Sequence, residues 1–193
     1  MFPTTVWDLV REAGASKPLA LDRFAEGYRV PVVEFLRGRG APPQECEDLC
    51  HEVFVRLLKG GVLAKADPQR GRFRSLLCAV TMNVLVDWHR RRPRPLAELA
   101  DPEAPAPDFD RVWALHLVER GLERLRVEAP TYYEDLKAHL DEREVDRNRL
   151  WIARRKLSAL VKHEIAMTCR SPAEIEEERA ALSPYLLPPH PNG

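Results

Sequence analysis

Glycine is scarce in this chain, with 9 glycines against 17 prolines in 193 residues. So few glycines argue against a sheet built from tight hairpins and against a glycine-rich phosphate-binding loop. No uncharged apolar run approaches the roughly 20 residues that a membrane-spanning helix needs, and residues 1–14 lack the apolar core of a secretory signal. The sequence therefore predicts a cytoplasmic protein with no membrane partner.

The four cysteines are too sparse for a disulfide framework, and free thiols in a reducing compartment fit them better. Cys46, Cys50 and His51 could help to hold zinc, but no second ligand pair has zinc spacing. His51-Glu52 begins like a zinc-protease motif, yet Val55 stands where the second histidine is needed. With no catalytic triad pattern either, we predict no metal, no other cofactor and no enzymatic activity. A helical metal-binding regulator is the less favoured alternative.

Helical periodicity runs through the chain, with apolar residues recurring every three or four positions. No stretch has the pattern of a strand, so the sequence predicts an all-α fold. Helices are expected at about residues 5–13, 19–39, 42–60, 73–91, 109–126 and 131–140, with two more ending near residues 167 and 182. Two capping boxes, Thr131 with Glu134 and Ser171 with Glu174, are expected to begin helices, and Asp141 to cap the helix between them.

The formal net charge is zero, with 30 basic and 30 acidic residues, but the two signs are segregated along the chain. Residues 93–110 hold five acidic residues, one basic residue and five prolines, a composition typical of an extended linker. The sequence therefore predicts two small helical domains joined by a Pro/Ala-rich acidic linker. The domains are expected at residues 1–92 and 111–182, with the linker at 93–110 and a flexible tail at 183–193.

Basic residues concentrate in two stretches, 65–92 and 143–162, each with seven basic and two acidic residues. Because basic side chains neutralise phosphate and release counterions, these stretches are the expected nucleic-acid contacts. Between Glu45 and Glu52, in contrast, four acidic residues occur without a basic one. Solvated helix faces are often charged in the same way, so charge alone leaves both interpretations open.

Two motifs in the first domain carry a family resemblance. The first reads DLCHEVFVRLL from Asp48, and the second reads GRFRSLL from Gly71, followed by Asn83, Asp87 and the run RRR at 90–92. Together they resemble region 2 of the extracytoplasmic-function (ECF) sigma factors of RNA polymerase, a branch of the sigma-70 family. The segments ADPQRGRFRSLL and HEIAMTCRSPAEIEEE are similar to a subgroup common in planctomycetes and myxobacteria. The resemblance is strong over about residues 20–92 and weak over 109–180.

Three acidic residues on the first motif helix, Glu45, Asp48 and Glu52, are spaced by three and four positions and share one stripe of the helix. The resemblance implies that this stripe docks on the clamp of the β′ subunit of core RNA polymerase. The polymerase-binding residues implied in this way are Arg37, Arg39, Glu45, Asp48, Glu52 and Arg56.

The resemblance also implies that the second motif helix and the loop before it contact promoter DNA at the −10 element, where an unpaired strand is held by stacking and edge contacts. Phe73 and Trp88 belong by their spacing to the apolar core rather than to a stacking surface. The arginine run at 90–92 also suits the C-terminus of a helix. The residues expected at the −10 element are Lys65, Arg70, Arg72, Arg74, Asn83, Asp87, Arg90 and Arg91.

The second domain departs from the family, in which region 4 holds a helix-turn-helix that reads the −35 element. No glycine lies between Gly121 and Gly193, so the expected turn glycine is missing. In one alignment residues 133–140 and 147–157 form the helix pair, and in another residues 132–140 precede a pair that has been lost. The residues expected at the −35 element are Arg147, Arg149, Arg154, Arg155 and Lys162.

Two functions are consistent with these observations. The leading one is an ECF-type sigma factor with a degenerate region 4, which directs core polymerase to promoters and stabilises the melted −10 element. Its implied partners are the β′ clamp, the β flap and promoter DNA, with an anti-sigma factor as a further candidate. The alternative is a sigma-like interaction adaptor that binds polymerase but lacks −35 recognition. The linker would thread a basic channel of the polymerase, as the resemblance implies, or act as a plain acidic tether.

Overall fold

A computed structural model describes residues 18–59, 72–91, 108–169 and 171–186. These residues form seven α-helices and contain no strand, which confirms the predicted all-α fold. None of the helices in this part of the chain combines the length and apolar character required to cross a bilayer. The helix expected at residues 5–13 and nearly all of the predicted linker lie outside the described residues.

The helices follow the predicted order closely. Their bounds are α1 Pro18–Gly38, α2 Pro43–Lys59, α3 Phe73–Arg91, α4 Phe109–Glu128, α5 Pro130–Leu140, α6 Arg147–Met167 and α7 Pro172–Leu186. The chain divides into two compact units, Met1–Trp113 and Ala114–Gly193, so the division falls within α4. The first residues of α4 therefore belong to the same unit as α1, α2 and α3.

Helices α1, α2 and α3 of the first unit pack on one another through the apolar stripes that the periodicity predicts. Burying a side chain of this size contributes about 1.5–3 kcal/mol. Fully or almost fully buried residues of these stripes include Val32, Phe35, Leu36, Val53, Leu57, Leu77 and Val84. This packing fixes the two motif helices, α2 and α3, side by side.

An aromatic cluster completes the first unit. Trp113, at the start of α4, is fully buried and stacks on Tyr28 at 5.5 Å between ring centroids. Phe109 lies edge-on to Phe35 at 5.1 Å, and Phe73 lies 6.3 Å from Trp113. Phe73 is thus a core residue, as its spacing predicts.

The second unit is centred on Leu125, Leu136 and Ala153, which are contributed by α4, α5 and α6. Helices α4 and α6 come close at Gly121, where an added Cβ would stand 2.8 Å from a methyl carbon of Val161. Glu164 of α6 is almost fully buried and accepts hydrogen bonds from two α4 arginines, Arg120 at 2.6 Å and Arg124 at 3.2 Å. A buried carboxylate needs such partners, because an unpaired charge would be costly there.

The turn after α5 has the conformation of a glycine-containing turn, although no glycine is present there. At the end of α1, Gly40 has a φ of 85° and donates to the Arg37 carbonyl, while Ala41 donates to that of Leu36. This is the Schellman motif that usually places glycine in the left-handed region. The end of α5 repeats the same hydrogen bonds, with Glu142 at a φ of 57° in the position of Gly40.

Two of the three predicted caps need correction. The N-cap of α5 is Ala129, which makes no side-chain cap, so the Thr131 box does not form. Asp146, not Asp141, caps α6 by accepting a hydrogen bond from the Arg149 amide, because the Schellman turn takes up the residues in between. The third cap is confirmed, since the Ser171 hydroxyl accepts from the Glu174 amide at 3.2 Å.

Replacing Glu142 by glycine should stabilise the second unit. A non-glycine residue in the left-handed region costs about 1–2 kcal/mol, and glycine avoids this cost. Part of the resulting stabilisation is lost, because glycine increases the conformational entropy of the unfolded chain. We expect Glu142→Gly to raise the free energy of unfolding by about 0.5–1 kcal/mol. Glu144→Gly removes the same charge at a residue with negative φ and should lower it. Denaturant titration of both variants checks the signs, and a loss of stability in both would show that the left-handed conformation does not strain Glu142.

Candidate functional site

The three acidic residues of the predicted docking stripe have different environments on α2. Glu45 is half-buried, and its carboxylate accepts a hydrogen bond from the Trp88 indole at 2.5 Å. Asp48 is exposed and forms no ion pair with the described residues. Glu52 is half-buried and paired with two arginines. Asp48 is therefore the carboxylate most available to a partner. Trp88 is half-buried, not a fully buried core residue, because its N–H reaches Glu45.

An ion-pair network joins α2 to α3. The Glu52 carboxylate accepts from Arg56 at 2.5 Å and from Arg91 at 3.2 Å. Arg56 also donates to Asp87 at 2.8 Å. The four side chains are between 30% and 62% exposed, so they lie at the rim of the interface between the helices and can reach solvent.

Electrostatics stabilise the charged forms in this network. Partial burial works to raise the pKa of the Glu52 carboxyl, but the hydrogen bonds and charges of Arg91 and Arg56 outweigh it and hold that pKa below its ordinary value. The hydrogen bond to Asp87, followed by that to Glu52, raises the pKa of Arg56. The network therefore persists over the physiological pH range.

The network brings together residues that the sequence assigns to different partners. Glu52 and Arg56 are expected on the polymerase side, and Asp87 and Arg91 on the DNA side. In the structure they form one continuous strip across α2 and α3. Arg90 is 77% exposed and is not one of the partners of Glu52, with only a 4.0 Å approach to Asp87.

Most remaining residues of the predicted −10 surface lie outside this network. Asn83 is exposed and Arg72 half-buried, while Lys65 and Arg70 lie outside the described residues. The side chain of Arg74 is only 5% exposed and forms an ion pair with Asp110 at the start of α4. In this conformation Arg74 is not placed to neutralise phosphate.

The two arginines at the end of α1 also differ from each other. Arg37 is half-exposed and pairs with Glu34 at 2.7 Å. Arg39 lies with its guanidinium over the Phe35 ring, 5.0 Å from the centroid, and its Nε is buried without a hydrogen-bond partner among the described residues. Arg39 thus belongs to the side of the unit that carries the aromatic cluster.

The thiols near the docking stripe are buried. Burial, with a smaller contribution from the Glu47 charge, raises the pKa of the Cys50 thiol to about 12. Burial likewise raises the pKa of Cys46, whereas the neighbouring His51 is exposed. Since zinc binds thiolates, protonated buried thiols do not favour the metal-binding alternative. Within the described ranges, no group of three His, Cys, Asp or Glu residues could hold a metal ion.

A basic face runs along α6 from Arg147 to Lys162. Arg147, Arg154, Arg155 and Lys162 are exposed there, while Arg149 pairs with Asp135 of α5 at 2.9 Å. Arg154 reaches His139 of α5, also at 2.9 Å. The face therefore combines free cationic groups with groups that tie α6 to α5.

Trp151 shares this basic face, although periodicity places it among the apolar positions. It is 53% exposed, and the Arg155 guanidinium lies 4.6 Å from its ring centroid. The signal available in the sequence is its spacing of four from Arg147 and from Arg155, which puts the three on one side of a helix. An exposed aromatic ring among arginines is typical of nucleic-acid contacts.

Residues 24–94 match the family model for Sigma-70 region 2. This part of the chain is therefore similar to sigma-70 region 2. No curated protein and no solved structure matches the chain. The matched residues cover most of α1 and all of α2 and α3, the three helices that carry the docking stripe and the ion-pair network. The match supports a sigma-70 family factor, a class of non-enzymatic transcription regulators that bind RNA polymerase and take part in promoter melting.

Arg91 should help to keep the pKa of the Glu52 carboxyl group below its ordinary value. Replacing Arg91 by alanine removes one of the two partners of the carboxylate, so the pKa of Glu52 should rise towards its ordinary value. Because the folded-state pKa is lowered, the pair contributes stability above the unfolded-state pKa of the glutamate and loses it as pH falls through the folded-state pKa. Arg91→Ala should therefore be less stable than the native chain near pH 7, and the difference should shrink in acid.

Arg90→Ala is the matched control for this prediction, since Arg90 carries the same charge one residue earlier and does not bond to Glu52. Carboxyl NMR titration of Glu52 and unfolding curves at several pH values give the measurement. Equal pKa shifts in the two variants would show that the network does not hold Glu52.

Proposed function

We propose that the protein is an ECF-type RNA polymerase sigma factor, a non-enzymatic subunit that directs core polymerase to specific promoters and stabilises the melted −10 element. The observation that carries the proposal is the region 2 match across residues 24–94. The arrangement of α2 and α3 supports it, because an acidic stripe and a basic helix end lie next to each other on one rigid helix pair.

Docking on the polymerase is assigned to α2. Asp48 projects into solvent from the middle of the acidic stripe and has no ion partner among the described residues. Glu45 and Glu52, on either side, are oriented by Trp88 and by the arginines. A pre-oriented acidic stripe suits a specific and partly electrostatic interface with a basic partner. The β′ clamp is the partner that the family resemblance implies.

Contact with the −10 element is assigned to α3 and the loop before it. Asn83 and Arg90 are exposed on α3, and Arg91 is 62% exposed while it pairs with Glu52. Arginine contacts to phosphate and edge contacts from an amide are the interactions that hold an unpaired strand.

The second unit is proposed to act as a degenerate region 4. Helices α5 and α6 pack on each other, and the turn between them uses Glu142 where a glycine is expected. This supports the alignment in which they are the helix pair. The basic face of α6 would then contact the −35 element, together with Trp151. The adaptor alternative keeps polymerase binding without this contact, and a footprint of the holoenzyme over the −35 element separates the two.

Charge reversal at Asp48 should weaken polymerase binding without disturbing the fold. Asp48→Arg places a like charge against the basic partner, which costs several kcal/mol at a close interface, so affinity for purified bacterial core polymerase should fall at least tenfold. Glu52 is a poorer choice, because its reversal would also break the network with Arg56 and Arg91. Glu134→Arg is the matched control, with the same charge change at an exposed site on α5.

Affinity is measured by titrating labelled protein with core polymerase, and circular dichroism checks that both variants keep their helices. Unchanged binding by folded Asp48→Arg would remove the docking assignment. Equal losses in both variants would show that net charge, and not the stripe, controls binding.

A further inference from the structure

The start of α4 is bound to the region 2 domain by apolar contacts. Trp113 is fully buried against Tyr28, and Phe109 is buried against Phe35. Residues 108–113 therefore form part of the first unit, although α4 continues beyond it. We call these six residues the clasp.

The clasp also places one acidic group against an arginine that the sequence assigns to DNA. Asp110 pairs with Arg74, which is expected at the −10 element. Asp108 caps α4 by accepting from the Asp110 amide at 3.0 Å. Burial raises the pKa of the nearby Cys78 thiol, and the charges of Arg39, Arg74 and Asp108 make smaller contributions to that pKa.

These contacts bear on DNA binding because a carboxylate and a phosphate compete for the same guanidinium. Arg74 is 5% exposed while paired, so a phosphate can reach it only if the clasp moves away. Asp110 is 37% exposed, so water already reaches one side of the pair. An ion pair that is partly solvated is weaker than a fully enclosed one, and its exchange for a phosphate is correspondingly easier.

We infer that the clasp is an autoinhibitory contact, in which Asp110 occupies Arg74 in the free protein and is displaced when region 2 takes up single-stranded DNA. This inference rests on the proposed function and adds a means of regulation to it. Only molecules with an open clasp can bind DNA through Arg74. The apparent affinity for DNA is therefore reduced in proportion to the fraction of molecules in which the clasp is open.

Asp110→Asn tests the inference, because it removes the competing charge and leaves Arg74 in place. The probe is a fluorescein-labelled single-stranded DNA of mixed sequence, titrated with holoenzyme assembled from core polymerase and each variant. We expect Asp110→Asn to bind about three- to tenfold more tightly, and the salt dependence to steepen by about 0.7 in log K against log salt for one added phosphate contact.

Two further variants make the result specific. Glu119→Gln changes the net charge by the same amount at an exposed position of α4, so any general electrostatic gain appears there too. Asp110→Asn combined with Arg74→Gln also lacks the competing carboxylate but has no arginine to bind a phosphate, and it should lose the gain. Equal binding by Asp110→Asn and Glu119→Gln, or a gain retained in the double variant, would overturn the inference.

Holoenzyme assembly is measured first, by gel filtration. If the native chain does not bind core polymerase, the proposed function fails and the inference fails with it. If the native chain binds and Asp110→Asn gives no gain, only the inference fails.

Should Asp110→Asn not fold, hydrogen exchange in the native holoenzyme tests the inference instead. Amides of the clasp, residues 108–113, should exchange at least tenfold faster when the oligonucleotide is bound, and unchanged exchange would overturn the inference.

Discussion

The Glu52 carboxylate, held between Arg56 and Arg91, is the centre of the polar contacts that join α2 to α3 outside their apolar core. Apolar stripes bring the two helices together, but they do not determine how the charged rims meet. Because Arg56 also binds Asp87, a single network orients residues on both helices. The proposed polymerase surface and the proposed DNA surface therefore form one strip, with Glu52 and Arg91 at the boundary between them.

The fold is predictable from the sequence because its signals are local. Apolar spacing, prolines in first helical turns and the glycines after α1 predict most helix ends to within a few residues. Glu142 is not predictable in this way, since only the surrounding hydrogen bonds of the Schellman turn hold a glutamate in the left-handed region. The cap of α6 moves to Asp146 for the same reason.

The site is less predictable, because a charge pattern in the sequence shows the sign of each residue's charge but not which residue it pairs with. The Glu52–Arg91 contact joins residues 39 positions apart. The Arg74–Asp110 pair spans most of the predicted linker, so a basic stretch that looks like a uniform DNA surface contains one arginine that is buried. Trp151 shows the opposite case, since its periodicity fits a core position while the structure leaves it half exposed.

The proposed function requires this chain to give core polymerase its promoter specificity. In vitro transcription with purified core polymerase and a genomic promoter library tests it most directly. We expect transcripts from a defined set of promoters, with shared start sites, that appear only when the protein is added. Stable binding to core polymerase without any promoter-specific transcript would contradict it and favour the adaptor instead.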